Sequence, residues 1–354
     1  MKKKYTKQIS LGINPITGRR IRKRIYADSP TLLRQAEKQA IIDFEKNGNL
    51  ASTAFSVFAD KWFDTYCSKL TFNTTAGYKN AYKKCSDLYN MQMQDITRSD
   101  LQAILNDNWD KPTTCKKIKV FFNLIFQSAV IDNVISRNPA TALKIPRAKS
   151  KAASDNKSSR RPFTAEEIEA IKAAPLDPMQ RLLTDILYQF GLRPSEAFAL
   201  NYEDFDLENK VLTVNKAMGY GEHEVPFIKS TKTYVTRVLP IPDEFIESFR
   251  KYKGKGHIFL NNEGKFMHKS QADKFGKKVC DAINVQMGGD AENRKTDISM
   301  YSFRHNKASQ LYYISGISTK AKAEYMGHSE EIFIRTYSHL IKEKEDLSAL
   351  SKMT

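Results

Sequence analysis

The feature that most constrains the fold of this chain is a set of large apolar side chains spaced as on one face of an α-helix. Two stripes recur at i, i+3 and i+4, the periodicity of an amphipathic helix packed against a core. The second stripe predicts a helix from Thr114 to Val134, and Arg137-Asn138-Pro139-Ala140 is predicted to end it, because proline disfavours helix in the residue before it. The stripes consist of Phe55, Phe58, Ala59, Trp62, Phe63 and Tyr66, and of Ile118, Phe121, Phe122, Ile125, Phe126, Ala129 and Val130.

Shorter sequence motifs predict further helices between the two stripes and after them. A helix is predicted from Thr75 to Lys84, and another after Ser99, a candidate N-cap. Thr164-Ala165-Glu166-Glu167 forms a capping-box pattern and predicts the start of a second helical unit. Helices are predicted at about 178–190 and 194–200 and again from about 269, with strands at 211–214 and 234–241 between them. The predicted fold class is therefore mainly α with small β elements.

The first 26 residues carry nine basic side chains and no acidic one. Ile9-Ser10-Leu11 predicts a strand and Asn14-Pro15-Ile16-Thr17-Gly18 a turn, so a β-hairpin is expected. In the second strand, a period of two puts Arg20, Arg22 and Arg24 on one face, and a β-ribbon with such a face can enter the major groove of DNA. A disordered basic tail is the alternative. A helix is predicted to follow from the spacing of Leu33, Ala36, Ala40, Ile41 and Phe44.

The charge of the chain favours a polyanionic partner, most simply nucleic acid. Lys and Arg number 57 against 40 Asp and Glu, a net charge of +17 over 354 residues. A solvated basic surface is the alternative. The four cysteines show no metal-binding or disulfide spacing, and there is no Walker sequence, no signal peptide and no apolar run of membrane-spanning length. We therefore expect no metal, no cofactor, no membrane contact and a cytoplasmic, nucleoid-associated location.

Four short motifs follow one another in the C-terminal half. They are Gly191-Leu192-Arg193-Pro194-Ser195-Glu196, Tyr301-Ser302-Phe303-Arg304-His305, Met326-Gly327-His328-Ser329 and Arg335-Thr336-Tyr337-Ser338-His339. An arginine, a second arginine, a histidine and a tyrosine in this order resemble the tyrosine recombinase (phage integrase) family. The resemblance implies an arm-type DNA-binding domain at 1–50, a helical, SAM-like core-binding domain at 51–146, a basic linker at 147–161 and a mixed α/β catalytic domain at 162–354.

The chemistry of such an enzyme explains why these residue types occur together. A tyrosine that attacks a phosphodiester must lose its proton, the charge on the phosphate oxygens needs cationic donors, and the leaving 5′ oxygen needs a proton. Arginine is planar, permanently charged and bidentate toward phosphate. The resemblance implies a phosphate clamp of Arg193 and Arg304, Glu196 orienting Arg193, His328 donating to the phosphate, Lys232 protonating the leaving oxygen and Tyr337 as nucleophile.

The second motif departs from the family pattern. It usually reads His-x-x-Arg, and Tyr301 stands here in place of the histidine. A tyrosine hydroxyl can donate a hydrogen bond to phosphate, but it is a poor base at neutral pH. His305, next to Arg304, is predicted to point elsewhere. A catalytically impaired DNA-binding regulator of the same family is therefore an alternative function, and a type IB topoisomerase-like enzyme is another.

The resemblance also implies partners. Recombination would join attachment sites on double-stranded DNA within a homotetramer, through a 3′-phosphotyrosyl intermediate and a Holliday junction. The element would be a phage or another mobile element, with a host DNA-bending protein and an excision factor as further partners. The linker is predicted to run along DNA phosphates, a role compatible with a plain solvated linker. Its DNA-binding candidates are Lys149, Lys151, Arg160 and Arg161.

Overall fold

The computed structural model describes residues 5–13, 20–47, 53–146, 161–231 and 235–337. The chain divides into two compact units, Met1–Lys149 and Ser150–Thr354. The predicted domain boundaries near residues 50 and 147 fall in stretches outside the described residues and stay predictions. Within the described ranges, no helix is long and apolar enough to cross a membrane.

The first unit begins with an antiparallel hairpin and a helix. Strands β1 (Tyr5–Ile13) and β2 (Arg20–Ala27) pair with one register shift, and helix α1 (Pro30–Asn47) follows. A small core forms where Ile9 and Ile25 are buried together with Ala40. The alternation along β2 leaves Arg20, Arg22 and Arg24 exposed, as the period of two predicts.

A helical bundle with its own core completes the first unit. Both predicted stripes contribute to this core, except that Tyr66 is 45% exposed and Phe63 and Val130 are partly buried. The Trp62 indole donates to Ser128 Oγ at 3.0 Å. Eight of the aromatic ring pairs in this core join different helices or turns, so its packing is dominated by large rigid side chains. The helices are α2 (Phe55–Tyr66), α3 (Phe72–Tyr82), α4 (Arg98–Asp107) and α5 (Pro112–Ile131).

Two predictions about helix ends in this bundle are wrong. Thr97, not Ser99, is the N-cap of α4: its hydroxyl accepts from the Asp100 amide, and Asp100 accepts in return from the Thr97 amide at 2.8 Å. Helix α5 ends at Ile131, well before Pro139. Asn133 adopts a left-handed conformation there (φ 54°), and the Val134 amide donates back to Ala129.

The second unit packs helices around two small sheets. One antiparallel sheet contains, in spatial order, β3 (Phe205–Asp206), β4 (Val211–Val214) and β7 (Arg237–Pro240). A separate hairpin pairs β5 (Lys216–Tyr220) with β6 (Pro226–Ser230). The capping box at Thr164 and Glu167 opens the first helix, as predicted. The elements are α6 (Ala165–Ala173), α7 (Pro178–Phe190), α8 (Pro194–Ala197), β3 (Phe205–Asp206), β4 (Val211–Val214), β5 (Lys216–Tyr220), β6 (Pro226–Ser230), β7 (Arg237–Pro240), α9 (Asp243–Phe249), α10 (Lys269–Gln286), α11 (Met300–Tyr313), α12 (Thr319–Met326) and α13 (Glu330–Tyr337).

Two glycines let α7 and α12 end close to other segments of the same chain. Gly191 and Gly327 cap these helices in the left-handed conformation, with φ of 61° and 63°. A Cβ on Gly191 would lie 2.6 Å from Lys307 Cβ, and one on Gly327 would lie 3.0 Å from Arg237 Nε. Both positions therefore require glycine, for backbone conformation and for close approach.

Candidate active site

Arg193 lies just before the short helix α8, with 16% of its side chain exposed. Its Nη1 donates to Glu196 Oε1 at 2.7 Å, and its Nη2 donates to the Gly327 carbonyl at 2.9 Å. The Arg193 amide also donates to Glu196 Oε2 at 3.0 Å. Glu196 therefore holds both the backbone and the guanidinium of Arg193.

A third arginine, Arg237, meets the same carboxylate. It is the first residue of β7, is 5% exposed, and donates from Nη2 to Glu196 Oε2 at 2.6 Å and from Nη1 to the Tyr325 carbonyl at 3.0 Å. Burial alone would raise the pKa of Glu196, but Arg237 and Arg193 outweigh it and hold that pKa below its ordinary value. Glu196 is therefore an anion shared by two cations.

Arg304 reaches the site from α11 and is 3% exposed. Its guanidinium donates to the carbonyls of Gly191 and Met326, and its Nη2 lies 2.9 Å from His328 Nε2. Burial and the neighbouring Arg193 lower the pKa of Arg304 to about 9, so the side chain stays charged at neutral pH. The two arginines predicted for the phosphate clamp thus approach one another within a single site.

His328 follows the left-handed Gly327 and is neutral. Burial and the charge of Arg304 lower the pKa of its imidazole to about 3. Because arginine has only donors, His328 Nε2 must accept from Arg304, and the ring proton then lies on Nδ1. Among the described residues, this buried Nδ1 has no hydrogen-bond partner. The ring is therefore left with one unused donor beside the two arginines.

Tyr337 is the last residue of α13 and is completely buried. It packs against Phe333 and Met326 in a small apolar cluster, and its hydroxyl lies 3.0 Å from His305 Nδ1. The expectation that His305 points elsewhere is wrong. Neighbouring residues on a helix differ in direction by about 100°, and α11 runs so close to the site that Arg304 and His305 both reach into it.

The remaining predicted residues do not join this cluster in the described part of the chain. Tyr301, in the first turn of α11, is 54% exposed. Arg161 forms a bidentate pair with Glu167, at 2.6 and 2.7 Å, which occupies its guanidinium within the unit. Lys232, Lys149, Lys151 and Arg160 lie outside the described residues. Across the described ranges, no group of three or more His, Cys, Asp or Glu side chains could hold a metal ion.

Sequence reasoning left out two members of the site, Arg237 and His305, although each has a signal. A period of two along β7 puts Arg237 on the inward face with Leu239, and a charge on an inward face requires a buried partner. His305 follows Tyr301 by four residues on a helix, so the two share a face. The first pattern could have predicted Arg237, and the second His305, as neighbours of the expected catalytic groups.

Comparison with known proteins identifies the family of the chain. Residues 162–344, more than half of the chain, match the sequence profile of the phage integrase family, and residues 54–107 match that of the phage integrase N-terminal SAM-like domain. The chain belongs to the phage integrase family and is an enzyme of the tyrosine recombinase type. It is 25% identical over 312 residues to a "tyrosine recombinase XerC-like" protein of Caldanaerobacter subterraneus subsp. tengcongensis, covering 78% of this chain and 75% of the relative.

Solved structures share the fold at low sequence identity. The Tn1549 transposon integrase, bound to a circular intermediate DNA, superposes with a TM-score of 0.68 at 19% identity, over 86% of this chain and 99% of that one. A lambda integrase tetramer bound to a Holliday junction superposes with a TM-score of 0.59 at 17% identity, over 91% and 90%. At such identities the likeness extends to the fold alone.

Proposed function

We propose that this chain is the integrase of a mobile genetic element, which cleaves and rejoins DNA through a 3′-phosphotyrosyl intermediate. The observation that carries the proposal is the meeting of Arg193, Arg304, His328 and Tyr337 in one site, although Arg193 and Tyr337 are far apart in sequence. The His328 and Tyr337 rings lie 6.4 Å apart, centroid to centroid. A buried tyrosine beside two arginines and a histidine donor is suited to phosphoryl transfer.

Each side chain would have a separate role. Tyr337 attacks the phosphorus, Arg193 and Arg304 neutralise the phosphate oxygens, and the Nδ1 of His328 supplies a further donor. Lys232 is the candidate for protonating the leaving 5′ oxygen. Since Tyr337 is fully buried, its hydroxyl must be exposed to the scissile phosphate by a rearrangement around the site. DNA binding would supply that rearrangement.

The mobile-element role draws on the relatives and on the hairpin. The Tn1549 integrase belongs to a transposon, and the lambda integrase tetramer is bound to a Holliday junction. By analogy, four protomers of this chain would exchange strands between two attachment sites. The exposed arginine face of β2 would bind arm-type DNA, residues 51–146 would contact the core site, and residues 162–354 would carry the chemistry. A host DNA-bending protein and an excision factor would be accessory partners.

The proposal is tested by trapping the covalent intermediate. Genomic DNA from the source organism is incubated with the wild-type protein, with Tyr337→Phe and with Tyr313→Phe, whose tyrosine is 43% exposed, and is then denatured. We expect discrete covalent adducts with the wild type and Tyr313→Phe and none with Tyr337→Phe. Sequencing the bound DNA would identify the recombination site.

Other outcomes would favour the alternative functions. If the wild type binds DNA but leaves no adduct, the chain acts as a DNA-binding regulator. If adducts form and supercoiled DNA is relaxed without joining of two sites, the activity is of the topoisomerase IB type.

A further inference from the structure

The second arginine motif of this chain lacks an effective proton acceptor at its first position. Tyr301 stands where the family pattern has histidine, and it is 54% exposed on α11. A phenol ordinarily ionises only near pH 10, so tyrosine is a poor base at neutral pH. Cleavage nevertheless requires the nucleophilic tyrosine to lose its proton. Another side chain must therefore accept it.

His305 lies next to the nucleophile. Its Nδ1 is 3.0 Å from the Tyr337 hydroxyl oxygen, which is hydrogen-bond distance, and the two rings lie 6.0 Å apart, centroid to centroid. His305 follows Tyr301 by four residues on the same helix, so it lies one turn along the same face. The imidazole thus lies one turn from the usual position of the base, and it touches the reacting oxygen.

The other titratable groups of the described site are engaged elsewhere. His328 accepts from Arg304 at Nε2, so that nitrogen cannot take a proton without losing the contact. The carboxylate of Glu196 is held by Arg193 and Arg237. Both groups bind arginines, whereas His305 faces the nucleophile.

We propose that His305 is the general base that accepts the hydroxyl proton of Tyr337 when DNA is cleaved. The inference rests on the recombinase function proposed above. Neutral His305, with its proton on Nε2, accepts the phenol proton at Nδ1 and becomes an imidazolium. The Tyr337 oxygen forms a bond to phosphorus, the bond between phosphorus and the 5′ oxygen breaks, and that oxygen takes a proton from the general acid, for which Lys232 is the candidate.

Rejoining reverses each transfer. The attacking 5′ hydroxyl gives its proton to the neutral general acid and bonds to phosphorus. The bond between phosphorus and Tyr337 breaks, and the phenolate recovers its proton from the His305 imidazolium. Protons and electron pairs therefore balance over the cycle, with no metal or other reactant.

The test separates a base from a group that only positions the tyrosine. His305→Asn keeps an acceptor near the position of Nδ1 but cannot hold the proton, and its rate of adduct formation should fall by about 10²-fold or more. Replacing Tyr337 in this variant by a fluorinated tyrosine, whose phenol is more acidic, should restore the rate by about tenfold or more. The same replacement beside an intact His305 should change the rate little.

The matched control is Tyr313→Phe, which removes the hydroxyl of a tyrosine that is 43% exposed at the end of the same helix and should react within about threefold of the wild type. A wild-type rate in His305→Asn, a loss that fluorination does not reverse, or an equal loss in Tyr313→Phe would each overturn the proposal. Folding is checked by thermal unfolding and DNA retention, and His305→Gln replaces a variant that fails this check. Absence of adduct in the wild type itself would instead refute the recombinase function.

Discussion

At the scale of single residues, the site is organised by charges that depend on one another. Glu196 is buried, and it stays ionised because Arg193 and Arg237 both donate to it. Removing one partner of such a buried group leaves an uncompensated charge, which costs about 3–5 kcal/mol. Arg237 is therefore a positioning residue: it binds Glu196, which in turn holds Arg193.

The imidazole of His328 makes stability depend on pH. Its pKa is about 3 in the folded protein, whereas the unfolded chain takes up the proton near the ordinary value of 6.5. Between these values the unfolded state binds more protons, so stability falls as the pH falls, with a slope approaching about 1.4 kcal/mol per pH unit. The stability that the neutral His328 imidazole contributes is fully present above pH 6.5.

We therefore expect the difference in unfolding free energy between the wild type and His328→Asn to shrink as the pH falls below 6.5. Denaturant unfolding of both proteins at a series of pH values measures it. A difference that stays constant between pH 7 and pH 4 would show that His328 does not titrate in this way.

At the scale of elements, the ends of two helices bring the arginines together. The Gly191 carbonyl, just past α7, accepts from Arg304, and the Gly327 carbonyl, just past α12, accepts from Arg193. Helix ends leave carbonyl groups without partners inside the helix. The guanidinium groups satisfy these carbonyls, so ordinary helix termination also positions the catalytic cations.

Gly191→Ala should therefore damage stability and cleavage together. The substitution costs about 1–2 kcal/mol for the left-handed backbone, and its Cβ would also lie 2.6 Å from Lys307 Cβ, which would push α11 and Arg304 away. Gly316→Ala is the matched control, since Gly316 has φ of 80° but open space around it. Thermal unfolding and adduct formation should show a larger loss for Gly191→Ala, and equal losses would mean that close packing at Gly191 is unimportant.

At the scale of the whole molecule, the net charge is +17, and part of the positive charge lies on the N-terminal hairpin. On β2, Arg22 and Lys23 are adjacent and point to opposite faces of the strand, Arg22 opposite Ser10 and Lys23 opposite Ile9. Either substitution by alanine removes one positive charge. Comparing the two alanine variants therefore distinguishes DNA binding by the arginine face from a general effect of positive charge.

We expect Arg22→Ala to weaken binding to arm-type DNA and to lower the slope of log K against log salt by about 0.9, which is one phosphate contact. Lys23→Ala should leave the slope close to that of the wild type. Titrations at several salt concentrations measure both. If the two variants behave alike, the arginine face of the hairpin makes no specific contact.

The sequence by itself determined the elements and the family. Period-two and helical spacings predicted β2, the buried stripes of α2 and α5 and the capping box at Thr164, because burial follows local periodicity. The order of Arg193, Arg304, His328 and Tyr337 resembles the motif order of the family, and that resemblance predicted the family.

Only the tertiary structure decided which side chains meet. The cap at Thr97 and the end of α5 at Ile131 depended on hydrogen bonds that composition does not specify. The contacts of Arg237 with Glu196 and of His305 with Tyr337 join separate elements. Such contacts depend on the distance and rotation between packed elements, which local periodicity does not determine. For that reason His305 could be identified as the candidate base only from the folded structure.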